Sequence, residues 1–246
     1  MIIGGGIAGL LAARVLCKHF EKVIIIEKDK YPSQAGSRNG VPQSNHIHVL
    51  LIKGKEILLE LFPDLEKKLV AKSAHVVNLT NDVLYYGGIG YSIRFESDLT
   101  TNACTRQLLE HEIRNEIVAN FPIVNILEST RATGLLIEKE HGICTGVTTL
   151  SADTNYENTI LGDRVVDASG RESKTSEWLD KLGYGKPEET TINSYIGYST
   201  CWFRSPTSQQ TSGNTSSSVS YVPPVIKPNI ILTCPLQSTN GSNLSC

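Results

Sequence analysis

The sequence predicts an α/β fold in which a βαβ unit at the N-terminus is followed by a β-rich part. Three features of the first 27 residues indicate the βαβ unit. The apolar pair Ile2–Ile3 leads directly into a glycine-rich turn. Residues 10–20 then have the apolar spacing of a helix, and Val23–Ile26 is a continuous β-branched run, as expected of a strand covered on both faces.

The rest of the chain alternates between loop, helical and extended patterns. Residues 31–45 are rich in small and polar residues and predict a loop, whereas residues 105–118 carry a helical apolar stripe formed by Leu108, Leu109, Ile113 and Ile117. We also predict helices over 46–60 and 176–183, short strands and turns over 75–100, and strands over 124–126, 133–138, 145–150, 164–167 and 192–204.

The glycine turn has the spacing G-x-G-x-x-G, met by Gly4, Gly6 and Gly9. In such a motif the first glycine permits the tight turn, the second lets a pyrophosphate approach the backbone, and the third lets helix and strand pack closely. Glu27 follows Gly4 by 23 residues, at the end of the second strand. Its carboxylate would accept hydrogen bonds from the ribose hydroxyls and repel a 2′-phosphate, which disfavours NADP. The spacing predicts a Rossmann-like dinucleotide site and leaves FAD and NAD open.

Composition excludes several other classes. The chain has 246 residues and a formal net charge of −2, without a long basic run, so we expect no nucleic-acid partner. No apolar run approaches the roughly 20 residues that a membrane helix needs, so we expect no transmembrane segment. The six cysteines form no C-x-x-C pair and no signal segment precedes them, which favours reduced thiols and a cytoplasmic location. We expect no bound metal.

Five stretches in a fixed order carry a resemblance to a known family. They are GGGIAGLLAARVL, RNGVPQSNHIHVLL, LFPDLEKKLV, TRQLLEHEIR and GDRVVDASGRES; they lie between Gly4 and Ser173, and the resemblance covers residues 1 to about 200. Together they resemble the FAD-dependent oxidoreductases of the aromatic-hydroxylase (monooxygenase) and geranylgeranyl-reductase type. The resemblance implies FAD as the cofactor, and it implies a Rossmann-like FAD-binding domain with a β-rich substrate domain, here partial.

The resemblance also implies which residues bind the cofactor. Arg38 matches a basic residue near the cofactor, and Arg106 matches the arginine that reaches the phosphates of FAD, a task suited to the planar fork of a guanidinium. Gln43, His46 and His48 match a segment near the flavin ring, although a loop without such a role is the alternative. The ADP-binding set comprises Gly4, Gly6, Ile7, Ala8, Gly9, Glu27 and Lys28.

The segment around Asp167 and Gly170 is the second signature. Its D-A-S-G sequence departs from the hydroxylase form and is similar to that of the reductase-like relatives. Gly170 would allow the backbone to approach the cofactor closely. Asp167 either contacts the cofactor or braces the turn, and both readings stay open.

These residues suggest a division of the chain. We predict an FAD-binding domain over 1–175 interrupted by 76–102, and a partial substrate domain formed by 76–102 and 176–246. Nine of the fifteen residues over 205–219 are Ser or Thr, which predicts a flexible linker. The family's downstream G-D-A motif is absent and the first strand is short, so we expect a fragment that is incomplete at both ends.

The expected function is that of an FAD-dependent oxidoreductase, monooxygenase-like, that oxidises a small apolar or aromatic substrate, with NAD(P)H as a possible electron donor. No side chain is diagnostic of catalysis. Two alternatives remain. The first is a flavin-dependent reductase of an isoprenoid double bond, and the second is a nucleotide-binding fragment without redox turnover.

Overall fold

A computed structural model describes residues 1–46, 48–83 and 90–193 in full, and the backbone alone of residues 84–87, 217–220 and 231–232. The backbone divides into two compact units. The first unit comprises residues 1–43 and 110–197, and the second comprises residues 44–109 and 198–246. The predicted strand over 192–204 lies outside the described residues from 194 onward.

A four-stranded parallel sheet forms the centre of the first unit. Helix α1 (Ile7–Leu16) connects strands β1 (Ile2–Ile3) and β2 (Val23–Ile26), which pair in parallel. Strand β7 (Val124–Leu127) extends the sheet beyond β2, and β11 (Val166–Asp167) pairs with β1 on the other side, so the order is β11-β1-β2-β7. The predicted α/β fold with its βαβ unit is confirmed.

A second sheet of the first unit is antiparallel. It has the order β10-β9-β8, formed by β8 (Thr130–Glu138), β9 (Ile143–Ser151) and β10 (Glu157–Leu161), and helix α5 (Thr175–Lys181) contacts β8. The sequence patterns did not predict β10, which is mostly exposed and lacks an apolar face. A buried cluster joins the two sheets: Ile3, Ile26, Ala132 and Val147.

Within the described residues, the second unit contains two complete helices, the first residues of a third, and two small sheets. Phe62, Leu65 and Leu69 are almost fully buried between and along its helices. The two complete helices are α2 (Ile52–Leu61) and α3 (Leu65–Ala71). In one sheet, β3 (His75–Asn78) pairs antiparallel with β6 (Thr100–Ala103). The other sheet has the strand order β13-β12-β4-β5 and consists of β4 (Val83–Gly87), β5 (Gly90–Tyr91), β12 (Ser217–Ser220) and β13 (Ile231–Leu232).

Helix α4 (Arg106–Asn120) supplies residues to both units. Its predicted apolar stripe is confirmed, since all four stripe residues are buried. The helix predicted over 46–60 begins only at Ile52, so that prediction is wrong for His46 and for residues 48–51, while Ile47 lies outside the described residues. Leu51 is extended, and Thr101 Oγ1 donates a hydrogen bond to the carbonyl of Leu50, which therefore bonds outside a helical ladder.

The compact units differ from the predicted domains. Helix α5 contacts β8 within the first unit, and α2 contacts β6 within the second. The substrate domain over 76–102 and 176–246 therefore stays a prediction. Of the predicted linker, residues 205–216 lie outside the described part of the chain, and residues 217–219 belong to β12. Among the described residues, no helix is both long and apolar enough to cross a bilayer.

Candidate functional site

The glycine turn lies between β1 and α1, at the carboxyl end of the parallel sheet. Gly4 has φ +96°, and a Cβ there would lie 2.6 Å from the carbonyl oxygen of Ala168. Its N–H donates to Ile26 across 2.8 Å, which ties the turn to β2. A side chain on Gly9 would collide with the carbonyl oxygen of Gly4. Only glycine therefore allows this turn and this helix to pack on β1 and β11.

The start of α1 is open on the side of Gly6. Gly6 is the N-cap residue, in an extended conformation and without a side-chain cap. A Cβ on Gly6 would meet only Nη2 of Arg38, at 3.8 Å. Ile7 and Ala8 follow in the first turn, with Ala8 exposed. Because the first N–H groups of a helix have no partner within it, this end can bind an anion.

Glu27 connects the end of β2 to the glycine turn. The residue is only 4% exposed. Its Oε2 accepts a hydrogen bond from the N–H of Gly5 across 2.7 Å, and its Oε1 accepts one from the N–H of Asp29 across 2.9 Å. Lys28 instead points to the surface, where its Nζ lies 3.4 Å from a carboxylate oxygen of Glu172. Both carboxylate oxygens of Glu27, the residue predicted to bind the ribose, are therefore hydrogen-bonded to backbone N–H groups of the first unit.

Arg38 lies at the centre of a buried ionic cluster, with a side chain that is 6% exposed. Its Nη1 is 3.1 Å from Oε2 of Glu27 and 3.4 Å from Oδ2 of Asp29. Both Nε and Nη2 lie 2.8 Å from Oε1 of Glu110, on α4. The guanidinium is thus surrounded by three carboxylates, and its charge keeps them together in a poorly solvated place.

Tyr31 closes the cluster from the other side. Its hydroxyl donates a hydrogen bond of 2.5 Å to the carbonyl oxygen of Gly5. The guanidinium carbons of Arg38 and Arg114 lie 4.8 and 4.6 Å from its ring centroid. Burial, followed by the negative charge of Glu27, raises the pKa of Tyr31, so the phenol keeps its proton and stays a donor.

Asp167 ends β11 next to the glycine turn. Its Oδ1 accepts hydrogen bonds from the N–H of Ser169 at 2.9 Å and from its hydroxyl at 2.5 Å, while Oδ2 accepts from the hydroxyls of Ser173 and Thr175. Burial alone would raise the pKa of Asp167, but these hydrogen bonds outweigh it and hold the pKa below its usual value. These contacts brace the turn, and the predicted contact of Asp167 with the cofactor stays a prediction. Gly170 has φ +82° and open space around its Cα.

The remaining residues that are predicted to contact the cofactor are distant in sequence from the glycine turn. Gln43 is exposed in the 3₁₀ helix Pro42–Asn45. His46 and His48 are exposed, and Nδ1 of His48 lies 2.9 Å from the carbonyl oxygen of His46. Arg106 is half-buried at the first position of α4, in the second unit. Their predicted contacts with a cofactor stay predictions.

A cavity of about 460 Å³ opens beside the end of β2 in the first unit, lined among others by Lys28, Asp29, Gly40, Arg131 and Ser151. Its volume falls in the range of small-molecule sites. Within the described residues, no group of three His, Cys, Asp or Glu side chains is placed to hold a metal ion.

Sequence patterns missed four residues of this site: Gly5, Asp29, Tyr31 and Glu110. Gly5 stands at a motif position that accepts any residue, and its place as the middle of three consecutive glycines was the available signal. Asp29, Tyr31 and Glu110 gave no local signal, since their roles depend on contacts with residues distant in sequence.

Comparison with known proteins agrees with this arrangement. Residues 2–50 match the family model of the NAD(P)-binding Rossmann-like domain. Over 214 residues the chain is 32% identical to Protein Rv3254 of Mycobacterium tuberculosis, which covers 84% of this chain and 45% of that protein. The chain therefore spans less than half the length of this curated relative.

Solved structures are similar at low sequence identity. A flavoprotein/dehydrogenase from Cytophaga hutchinsonii has a TM-score of 0.52 and 19% identity over 77% of this chain and 43% of that chain. The flavin-dependent brominase Bmp2 has a TM-score of 0.51 and 21% identity over 74% and 40%. The flavin-dependent monooxygenase PieE, in complex with FAD and substrate, has a TM-score of 0.51 and 17% identity over 74% and 31%. The chain therefore has a Rossmann-like fold that is similar to part of each of these structures.

Proposed function

We propose that this chain is the nucleotide-binding part of an FAD-dependent oxidoreductase that oxidises a small apolar or aromatic substrate in the manner of a monooxygenase. The observation that carries the proposal is the open, uncapped start of α1 at Gly6, directly after a turn that only glycine can form. The shared fold with flavin-dependent proteins supports FAD over other dinucleotides, although the match of residues 2–50 does not distinguish them.

The start of α1 fits the pyrophosphate in the ADP half of FAD. The pyrophosphate would lie against the N–H groups at the start of α1, where the helix dipole favours negative charge. Gly6 leaves room for it, because the nearest atom to a Cβ there is 3.8 Å away. The ribose would lie toward Glu27, at the end of β2, and the adenine toward the neighbouring cavity beside Lys28.

Bound flavin would supply the redox chemistry, and this chain would supply binding and orientation. The buried cluster of Arg38 with Glu27 and Glu110 would hold the turn in one conformation. NAD(P)H as the electron donor and a small-molecule substrate belong to this proposal. A cytoplasmic location also belongs to it, supported by the unpaired thiols of Cys17, Cys104 and Cys144.

Reconstitution with FAD tests the proposal. The purified chain, incubated with FAD and freed of excess ligand, should retain a flavin absorbance spectrum. Gly6→Ala should keep the fold, since its methyl group meets no protein atom closely, and should weaken FAD binding by tenfold or more because the methyl group takes the place of the pyrophosphate. Gly36→Ala is the matched control, with only ordinary contacts around its Cβ. Absence of flavin retention in the wild-type chain would contradict the proposal.

Turnover is measured separately. Consumption of NAD(P)H or oxygen above that of free FAD would support an oxidoreductase. ADP binding with no redox turnover under any of these conditions would restrict the function of this chain to nucleotide binding.

A further inference from the structure

Gly5 is the residue of the glycine turn whose peptide groups are most firmly held. Its N–H donates to Oε2 of Glu27 across 2.7 Å. Its carbonyl oxygen accepts a hydrogen bond of 2.5 Å from the Tyr31 hydroxyl, and Nη2 of Arg38 lies 3.4 Å from the same oxygen. Two successive peptide units are therefore fixed by side chains that lie 22 to 33 positions further along the chain.

The direction of these bonds determines where the next N–H points. In a trans peptide the C=O and the following N–H point in opposite directions. The carbonyl of Gly5 points inward to Tyr31, so the N–H of Gly6 points away from Tyr31. This N–H lies at the start of α1, where Gly6 is the N-cap residue and the first N–H groups have no partner within the helix.

Tyr31 is well placed to keep this orientation. The residue is 8% exposed, and its ring lies against the guanidinium groups of Arg38 and Arg114. Its own N–H donates to a carboxylate oxygen of Glu128 across 3.0 Å. The ring is therefore held independently of the hydroxyl, and the hydroxyl acts on the turn alone.

We propose that Tyr31 is a positioning residue for the phosphate-binding turn: its hydroxyl, bonded to the carbonyl of Gly5, directs the N–H of Gly6 toward the pyrophosphate of the dinucleotide. The inference rests on the proposed function, which it extends by naming a residue that acts through Gly5 and does not itself touch the cofactor. Preorganised donors bind more tightly because their ordering is complete before the ligand arrives.

Titration calorimetry of Tyr31→Phe with ADP and with adenosine tests this role. Phenylalanine keeps the ring contacts and removes the hydroxyl. We expect a roughly tenfold increase in the Kd for ADP, the effect of losing one buried hydrogen bond. The Kd for adenosine, which has no phosphates, should change less than twofold. Tyr156→Phe is the matched control, since Tyr156 is 68% exposed, and both of its Kd values should remain those of the wild type.

Three results of the calorimetry would contradict the proposed role of Tyr31. An unchanged ADP affinity in Tyr31→Phe, with the wild type binding normally, would overturn the role of Tyr31 and leave the proposed function intact. Equal weakening of ADP and adenosine would show a general structural effect and would also overturn it. Failure of the wild-type chain to bind either ADP or FAD would overturn the proposed function and this inference together.

Discussion

The hydroxyl of Tyr31 occupies the space that a side chain on Gly5 would need. A Cβ on Gly5 would also lie 3.0 Å from Oε2 of Glu27 and 3.1 Å from Cζ of Tyr31. The glycine at this position is thus required by side chains of the loop after β2 and not by its backbone angles, since φ of Gly5 is not positive. Gly4 differs, because both its φ and its neighbours exclude a side chain.

Gly5→Ala should destabilise the first unit through overpacking. The expected loss in free energy of unfolding is about 1–3 kcal/mol, the usual effect of adding a methyl group to a filled place. Tyr31→Phe in the same chain should recover part of that loss, because the nearest colliding atom is removed. Urea unfolding of the two single variants and the double variant measures the coupling. Gly36→Ala should change stability by less than about 0.5 kcal/mol, and additive losses in the double variant would contradict the collision.

The parts of the fold and of the candidate site that depend on local sequence patterns were predictable from the sequence. The order strand, glycine turn, helix, strand follows from residue spacing, and Glu27 at the end of β2 follows from the same spacing. The neighbours of Glu27 were not predictable, because Arg38 and Tyr31 come from a loop without periodicity. The exposed strand β10 escaped prediction because its residues show no burial pattern. For Asp167, the local turn chemistry of Ser169, Ser173 and Thr175 determines the contacts, and the sequence alone left that choice open.

Arg38→Met should strongly destabilise the first unit. The substitution keeps a similar volume but leaves Glu27, Asp29 and Glu110 close together without a compensating charge. Removing one partner of a buried ion pair typically lowers the free energy of unfolding by about 3–5 kcal/mol, because the other charge stays buried without compensation. Urea unfolding measures this loss in stability. Adding Glu110→Gln removes one of the three negative charges, so the double variant should be more stable than Arg38→Met by at least about 1 kcal/mol.

The control for this prediction is Arg131→Met, since Arg131 is exposed on β8 and should contribute less than about 0.5 kcal/mol. A loss of less than about 1 kcal/mol for Arg38→Met, or an additional loss on adding Glu110→Gln, would show that the cluster is not held by the guanidinium charge.

Asp167→Asn should alter how stability depends on pH. The hydroxyl hydrogen bonds hold the pKa of Asp167 below its usual value despite burial, so the carboxylate stabilises the fold above the unfolded-state pKa of about 4. That contribution is lost as the pH falls through the lower pKa of the folded state. The free energy of unfolding of the wild type should therefore exceed that of Asp167→Asn by a constant amount above about pH 5, and the two values should approach each other below about pH 4. The difference should be about 1 kcal/mol or less, because the side chain is only partly buried and solvent screens its charge.

Thermal unfolding between pH 3 and pH 7 measures this difference. Asp153→Asn, in an exposed turn, serves as the control and should follow the wild type throughout. A difference between wild type and Asp167→Asn that grows toward low pH would have the wrong sign and would refute the bracing role of the carboxylate.

Val147→Ala tests the junction between the two sheets of the first unit. Val147 is fully buried in β9 and packs in one cluster with Ile3 and Ile26 of the parallel sheet. Removing its two methyl groups should cost about 1.5–3 kcal/mol, from lost burial and the cavity left behind. Val118→Ala, at a position 64% exposed, should cost less than about 0.5 kcal/mol. Because Val147 packs in the cluster between the two sheets, the Kd for ADP of the folded variant should equal that of the wild type. A stability loss as small as that of Val118→Ala would show that the antiparallel sheet does not support β1 and β2, and a weakened ADP affinity would show that the turn depends on this junction as well as on Tyr31 and Arg38.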